Sequence, residues 1–190
     1  MSNFATAAIG SAAPLPKASV DPLIAERTVF SADRTHRFTL YRYWGDPEDY
    51  ACGICMNPSG AAEDVGDPTV DGMARRAREH WRVGAYYQLN VMSLRATYSS
   101  ELAKVSEISL PENDEWIRRI AAKARFVVVG WGNQGHTTGR GPVVETILRE
   151  VCAPAQVFCF GTNKNGSPVH PLYQRLDAPL IPYFAETTPA

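Results

Sequence analysis

The sequence predicts an α/β fold, a three-layer sandwich in which a mostly parallel central sheet lies between helices. Short apolar segments alternate along the chain with amphipathic segments of helical spacing, which is typical of such folds. Residues 126–131 form the clearest strand, because they are apolar throughout, as a strand covered on both faces should be. A polar loop follows each predicted strand, as expected where a sheet edge carries a binding site.

The composition predicts one soluble domain over residues 25–190, preceded by a flexible arm over residues 1–24. The arm is rich in Ala, Ser and Pro, and it lacks the basic start and apolar run of a signal peptide. No apolar run approaches the roughly 18 residues that a membrane helix needs. A cytoplasmic protein with reduced cysteines and no membrane partner is therefore expected. The oligomeric state stays open.

The first predicted strands are residues 37–44 and 50–56. The former alternates, with Phe38 and Leu40 on one face and Thr39 and Tyr41 on the other. Residues 45–49 form a loop of turn-favouring residues. The two strands are therefore predicted to form an antiparallel hairpin at the edge of the sheet.

The next element is a helix that starts at Asp67-Pro68-Thr69, with Asp67 as N-cap and Pro68 at the first helical position. Apolar residues then recur with helical spacing until Gly84 ends the helix. The remaining predicted elements are a strand over 85–92, a short helix capped by Ser99 or Ser100, a helix from 111, the strand over 126–131, a helix over 142–151, a strand over 157–160 and a turn-rich loop over 161–168.

The four cysteines are predicted to be buried and inert. Cys52 and Cys55 form a C-x-x-C, but they lie in a predicted strand, where residues three apart face opposite sides. A zinc or redox site is the less favoured alternative. No metal-ligand cluster has usable spacing and no nucleophile elbow is present, so no cofactor is expected. His36 and His80 are predicted to lie on the surface.

Polar residues that suit a ligand follow each of the four parallel strands. Since the carboxyl ends of parallel strands share one edge, these loops are expected to form one site, although loops are commonly polar without binding anything. Amides, an arginine, a histidine and aromatic rings suit a planar ligand such as a nucleobase or nucleotide. The loop residues are Asn57, Ser59 and Asp67, then Asn90, Ser93 and Arg95, then Trp131, Asn133, Gln134, His136 and Arg140, then Thr162, Asn163, Lys164 and His170.

Two of these features have alternative explanations. The glycines around Gly132 either let the backbone approach a ligand closely or form a tight turn. Asp67 is either a site residue or only an N-cap. The formal net charge of −1 gives no general attraction to nucleic acid, so a nucleic-acid partner would need a local basic patch.

Several short motifs together resemble a bacterial and phage family designated domain of unknown function 1643. The likeness covers about residues 28–173. The motifs are Met56-Asn57-Pro58-Ser59, Gly66-Asp67-Pro68-Thr69, residues 90–95, Gly130-Trp131-Gly132-Asn133 and residues 166–173.

The chain more distantly resembles the uracil-DNA glycosylase superfamily, especially its mismatch-specific branch. That resemblance implies a similar parallel α/β sheet, with Asn57 positioning the attacking water and His170 stabilising the departing base. Tyr173 or Trp131 would stack on an extruded base. The sequence differs from that superfamily at Ser59, where its members have glycine, and at Leu172, where they have serine.

These observations favour an enzyme that acts on a nucleobase or nucleotide, by N-glycosidic hydrolysis or a related base modification. The alternatives are a non-catalytic module that binds a nucleotide or modified base, and a phage or host-defence interaction protein. The expected catalytic residues are Asn57, His170 and Asp67. The expected ligand-binding residues are Pro58, Ser59, Asn90, Arg95, Trp131, Gly132, Asn133, Lys164 and Tyr173.

Overall fold

The computed structural model describes residues 21–96, 102 and 108–184. Residues 1–20 of the predicted arm and the caps of the predicted short helix, Ser99 and Ser100, lie outside this range. The helices are α1 (Pro22–Arg27), α2 (Pro68–Glu79), α3 (Pro111–Ala121), α4 (Gly132–Thr137) and α5 (Arg140–Val151), with 3-10 turns at Pro154–Gln156 and Pro171–Tyr173. The strands are β1 (Leu40–Tyr43), β2 (Tyr50–Cys55), β3 (Ala85–Asn90), β4 (Phe126–Val129), β5 (Val157–Cys159) and β6 (Ile181–Pro182).

The six strands form one mixed sheet in the order β1-β3-β2-β4-β5-β6. Its four central strands, β3, β2, β4 and β5, are parallel, and the two outer strands are antiparallel to their neighbours. The prediction of an α/β fold with a mostly parallel sheet is therefore confirmed. The carboxyl ends of the four central strands meet at one edge, which is where the polar loops were expected to converge.

The predicted hairpin between the first two strands is wrong. β1 pairs with β3, with Leu40 opposite Gln88 and Tyr43 opposite Ala85, and β2 lies on the far side of β3. The loop between β1 and β2 crosses the start of β3, where the Trp44 and Gly45 N–H groups both donate to Gly84 O. A Cβ atom at Gly84 would lie 2.2 Å from Asp46 O, so this crossing needs glycine.

Helices cover both faces of the sheet. On one face, Met73 and Ala77 of α2 pack against Ala51, Tyr86 and Val128. On the other face, the larger core includes residues of α3 and α5 packed against strand residues of the opposite parity. That core includes Cys52, Ile54, Leu89, Ile117, Val127, Val129, Ile147 and Leu148.

Two of the three predicted helix starts are confirmed. α2 begins at Pro68, with Asp67 as its N-cap, and the Val70 N–H donates to Asp67 Oδ1 at 2.8 Å. α3 begins at Pro111 as expected. α5 begins at Arg140, two residues before the predicted start, because the chain turns at Gly139 with φ of 78°. α4 was not predicted, since its glycines oppose helix formation in isolation.

The histidine predictions are half right. His80 is exposed, but His36 is only 8% exposed and its Nδ1 lies 2.9 Å from Ser93 Oγ. His36 also bridges to Leu94 through the backbone, which draws its ring under the loop after β3. The prediction that His36 lies on the surface is therefore wrong.

None of the helices in residues 21–96 and 108–184 combines the length and apolar character that crossing a membrane requires.

All four cysteines are free and buried, as predicted. Burial raises the pKa of Cys55 to about 12 and that of Cys152 to about 11. Because the thiolate is the nucleophile that attacks thiol reagents, we expect negligible labelling of the native protein at pH 8. Ellman's reagent should report four thiols only after denaturant is added. Fast labelling of the native protein would show that the strands of the sheet open readily.

Candidate functional site

Two adjoining cavities open at the carboxyl edge of the sheet. The inner cavity, of about 260 Å³, lies between the ends of β2 and β3 and the start of α2. The outer cavity, of about 390 Å³, lies between the end of β2 and the loop that leads into α4. Asn57, His170 and Leu172 line both cavities, so these residues lie at their junction. Together the cavities reach the size of an ordinary small-molecule site, roughly 300–1,000 Å³.

Asn57 follows the end of β2, and its side-chain amide is held in one orientation. Its Nδ2 donates to Pro58 O at 3.0 Å and to Ala96 O at 2.8 Å. Because carbonyl oxygens can only accept, these bonds fix which side of the amide is the nitrogen. The function that Asn57 offers at the junction is therefore its acceptor, Oδ1, which suits a donor such as a water or a ring N–H.

His170 is held by the turn that follows it. The Leu172 N–H donates to His170 Nδ1 at 3.3 Å, so the neutral imidazole carries its proton on Nε2. Burial lowers the pKa of His170 below its ordinary value, and nearby Asp67 opposes that shift. His170 is therefore neutral at pH 7 and offers an N–H donor.

The position of His170 depends on the end of β4. Pro171 packs directly on Gly130, where an added Cβ would lie 2.7 Å from Pro171 Cδ. Gly132 N–H also donates to Pro168 O at 2.9 Å. The loop after β5 is therefore seated on the loop after β4, which brings His170 to the same edge as Asn57.

Asp67 is the N-cap of α2 and also lies at the inner cavity. Its Oδ1 caps α2, and its Oδ2 accepts a hydrogen bond from Ser59 Oγ. Asp67 and Ser59 also line the inner cavity. The N-cap role is thus confirmed, and the same carboxylate lies at the candidate site.

Part of the lining of the inner cavity was not predicted from the sequence. Arg37, Cys55 and Gln88 line it together with Asn90, which was expected there. Arg37 is 2% exposed; one of its terminal nitrogens donates to Ala61 O at 2.9 Å and the other to Asn90 Oδ1 at 3.1 Å. Gln88 and Asn90 are two apart in an otherwise apolar strand, so they share a face. That pattern could have indicated a polar site, since two polar side chains on one face of a buried strand need hydrogen-bond partners.

The outer cavity contains the predicted aromatic and glycine residues. Trp131 is buried in its wall, and Tyr173 is 83% exposed at its mouth, with its ring centroid 6.5 Å from that of His170. Gly132 has φ of 67°, a conformation that favours glycine. Asn133 also lines this cavity, but its Oδ1 already accepts from Ser167 Oγ at 3.0 Å.

Three predicted ligand-binding residues do not line either cavity. Arg95 donates to Arg34 O at 3.1 Å and to Gly60 O at 3.3 Å, so it fixes the loop that carries Ser59. Pro58 is buried and contributes its carbonyl to the anchoring of Asn57. Lys164 is exposed in the turn after β5. Within residues 21–96 and 108–184, no group of three or more His, Cys, Asp or Glu side chains could hold a metal ion.

Residues 37–172 match the model of the family described as "Protein of unknown function (DUF1643)". The chain belongs to this family. The part of the chain that matches DUF1643 begins at Arg37 and ends at Leu172. It therefore contains every residue that lines the inner cavity. Neither the curated proteins nor the solved structures include a match to this chain.

Proposed function

We propose that this DUF1643 protein is an enzyme that releases a nucleobase by hydrolysing the N-glycosidic bond that joins it to a sugar. The observation that carries the proposal is that Asn57 and His170 line both cavities, at their junction. A water acceptor and a hydrogen-bond donor at one junction are the two groups that this hydrolysis needs most.

The proposed chemistry assigns one role to each polar group. His170 Nε2–H donates to a base oxygen and stabilises the negative charge that develops on the departing base. Asn57 Oδ1 orients the attacking water toward the sugar carbon. Asp67, on the wall of the inner cavity, accepts the proton that the water loses.

The distant likeness to the uracil-DNA glycosylase superfamily supports the same assignment. Its Asn-Pro and His-Pro motifs correspond to Asn57-Pro58, in the loop after β2, and to His170-Pro171, in the loop after β5. The exposed ring of Tyr173 supplies apolar surface for a planar base at the mouth of the outer cavity, whereas the ring of Trp131 is buried in the core and cannot stack on a base.

The proposal is tested by measuring release of free base from a panel of uracil-containing DNA, nucleosides and nucleoside monophosphates, resolved by liquid chromatography. We expect release from at least one substrate, reduced at least about 10²-fold in Asn57→Ala. The thermal midpoint of the variant shows whether it remains folded. Tight binding without turnover would contradict the proposal and favour the alternative, a non-catalytic nucleotide-binding module.

A further inference from the structure

Arg37 is a buried cation that has no carboxylate partner among the described residues. Its direct partners are neutral oxygens, Ala61 O and Asn90 Oδ1, and its Nε has no hydrogen-bond acceptor. The charge of Asp67 also acts on Arg37, but the two Asp67 oxygens accept from Ser59 Oγ and the Val70 N–H rather than from the guanidinium. The guanidinium therefore keeps unused donors beside the inner cavity.

A buried charge without a counterion is unusual, because removing it from water is costly unless another charge compensates. Burial lowers the pKa of Arg37 to about 10, which still leaves it protonated at neutral pH. Sites of this kind gain affinity when a ligand supplies the missing negative charge, and a planar guanidinium matches the oxygens of a phosphate.

We infer that the substrate is a free nucleoside monophosphate, with its phosphate on Arg37 in the inner cavity and its base in the outer cavity. This inference rests on the proposed function and specifies its substrate. Base, sugar and phosphate follow one another along a mononucleotide, so a molecule that spans both cavities places its sugar and glycosidic bond at the junction. That junction is where Asn57 and His170 lie.

The formal net charge of −1 agrees with a small substrate, because the protein has no overall attraction for a polyanion. The reaction needs no further reactant. The C1′–N bond breaks with its electron pair going to the base, the water oxygen bonds to C1′, and Asp67 accepts the water proton and returns it to the base. The products are a free base and a sugar phosphate.

The phosphate subsite is tested by calorimetric titration with inorganic phosphate, a nucleoside and the matching nucleoside 5′-monophosphate. We expect the monophosphate to bind at least about tenfold more tightly than the nucleoside, since a charge-assisted hydrogen bond contributes at least that factor.

Asn90→Asp is the decisive variant, because it keeps an acceptor for Arg37 and supplies the missing carboxylate within the protein. We expect it to remove the advantage of the monophosphate and the binding of inorganic phosphate, with its fold retained. Asp67→Asn preserves an N-cap and removes a negative charge, so it should strengthen phosphate binding. Lys123→Gln is the control and should change neither, because it removes an exposed cation just before β4, at the opposite edge of the sheet from the cavities.

The outcomes separate this inference from the proposed function. Base release at equal rates from nucleoside and monophosphate, unchanged in Asn90→Asp, would overturn the inference and leave the hydrolase proposal intact. Preference for uracil-containing DNA over every mononucleotide would also overturn it, since the phosphate would then belong to a polymer. Phosphate binding that disappears in Asn90→Asp, without any base release, would support the subsite and contradict hydrolysis.

Discussion

Replacing His170 with alanine is expected to lower kcat/KM for base release by about 10²–10³-fold, the usual effect of removing one donor to a developing oxyanion. The donor in question is Nε2–H, since Nδ1 accepts from the Leu172 N–H. His170→Gln retains a side-chain N–H and should recover part of the loss. The measurement is steady-state kinetics of base release with the substrate found in the panel.

His80→Ala is the matched control, because it removes an exposed histidine that lines neither cavity. We expect the control to retain the wild-type rate. Equal losses in both variants, or full activity in His170→Ala, would remove His170 from the mechanism.

The same assignment fixes the direction of the pH dependence. Burial places the pKa of His170 below its ordinary value near 6.5, and Asp67 partly opposes the shift. At lower pH a proton binds to Nδ1, which can then no longer accept a hydrogen bond from the Leu172 N–H. Because that bond holds the ring in place, kcat/KM should fall as the pH drops through this lowered pKa. The stability contributed by the neutral ring is complete above pH 6.5 and is also lost as the pH falls, because the unfolded chain then binds the proton more readily.

Gly84→Ala is expected to give the largest loss of stability, about 3 kcal/mol or more. Its Cβ would lie 2.2 Å from Asp46 O and 2.4 Å from Asp46 N. Both contacts are with backbone, which cannot move aside as a flexible side chain can. The substitution therefore separates the crossing loop from the start of β3, and it weakens the pairing of β1 with β3.

Urea denaturation followed by fluorescence measures this effect as a change in the free energy of unfolding. Gly60→Ala is the control, since an added Cβ there meets no atom within 4 Å and Gly60 does not have a positive φ. We expect that variant to change stability by less than about 0.5 kcal/mol. A Gly84→Ala protein as stable as wild type would show that the loop can cross β3 by another path.

Local patterns predicted most of the elements and the edge where the polar loops meet, but not α1, α4, β6 or the partners of the strands. The N-cap and proline at Asp67 and Pro68 are local signals, and α2 starts there. The alternation in residues 37–44 shows which side chains share a face, but it carries no information about the neighbouring strand. The pairing of β1 with β3 instead depends on the close packing of the Asp46 loop on Gly84, a contact between distant segments.

The residues of the candidate site were likewise predicted only in part. Asn57 and His170 could be placed at the shared edge because they lie in the loops after β2 and β5, and the carboxyl ends of those strands meet there. Arg37 and His36 could not, because both lie before β1 and are buried by the loops after β2 and β3. Charged and polar side chains of these types are mostly exposed, and only tertiary packing buries the two here.

The two outer strands limit the backbone groups that the sheet offers to a further strand. At one margin, β6 is only two residues long and ends in Pro182, which has no N–H to offer a further strand. At the other margin, Thr28 Oγ1 accepts from the Tyr41 N–H, and Val29 exchanges backbone hydrogen bonds with residues 38 and 39. In the described part of the chain, neither flank presents a long bare ladder of donors and acceptors, which is the feature that favours fibril-like stacking of one copy on the next.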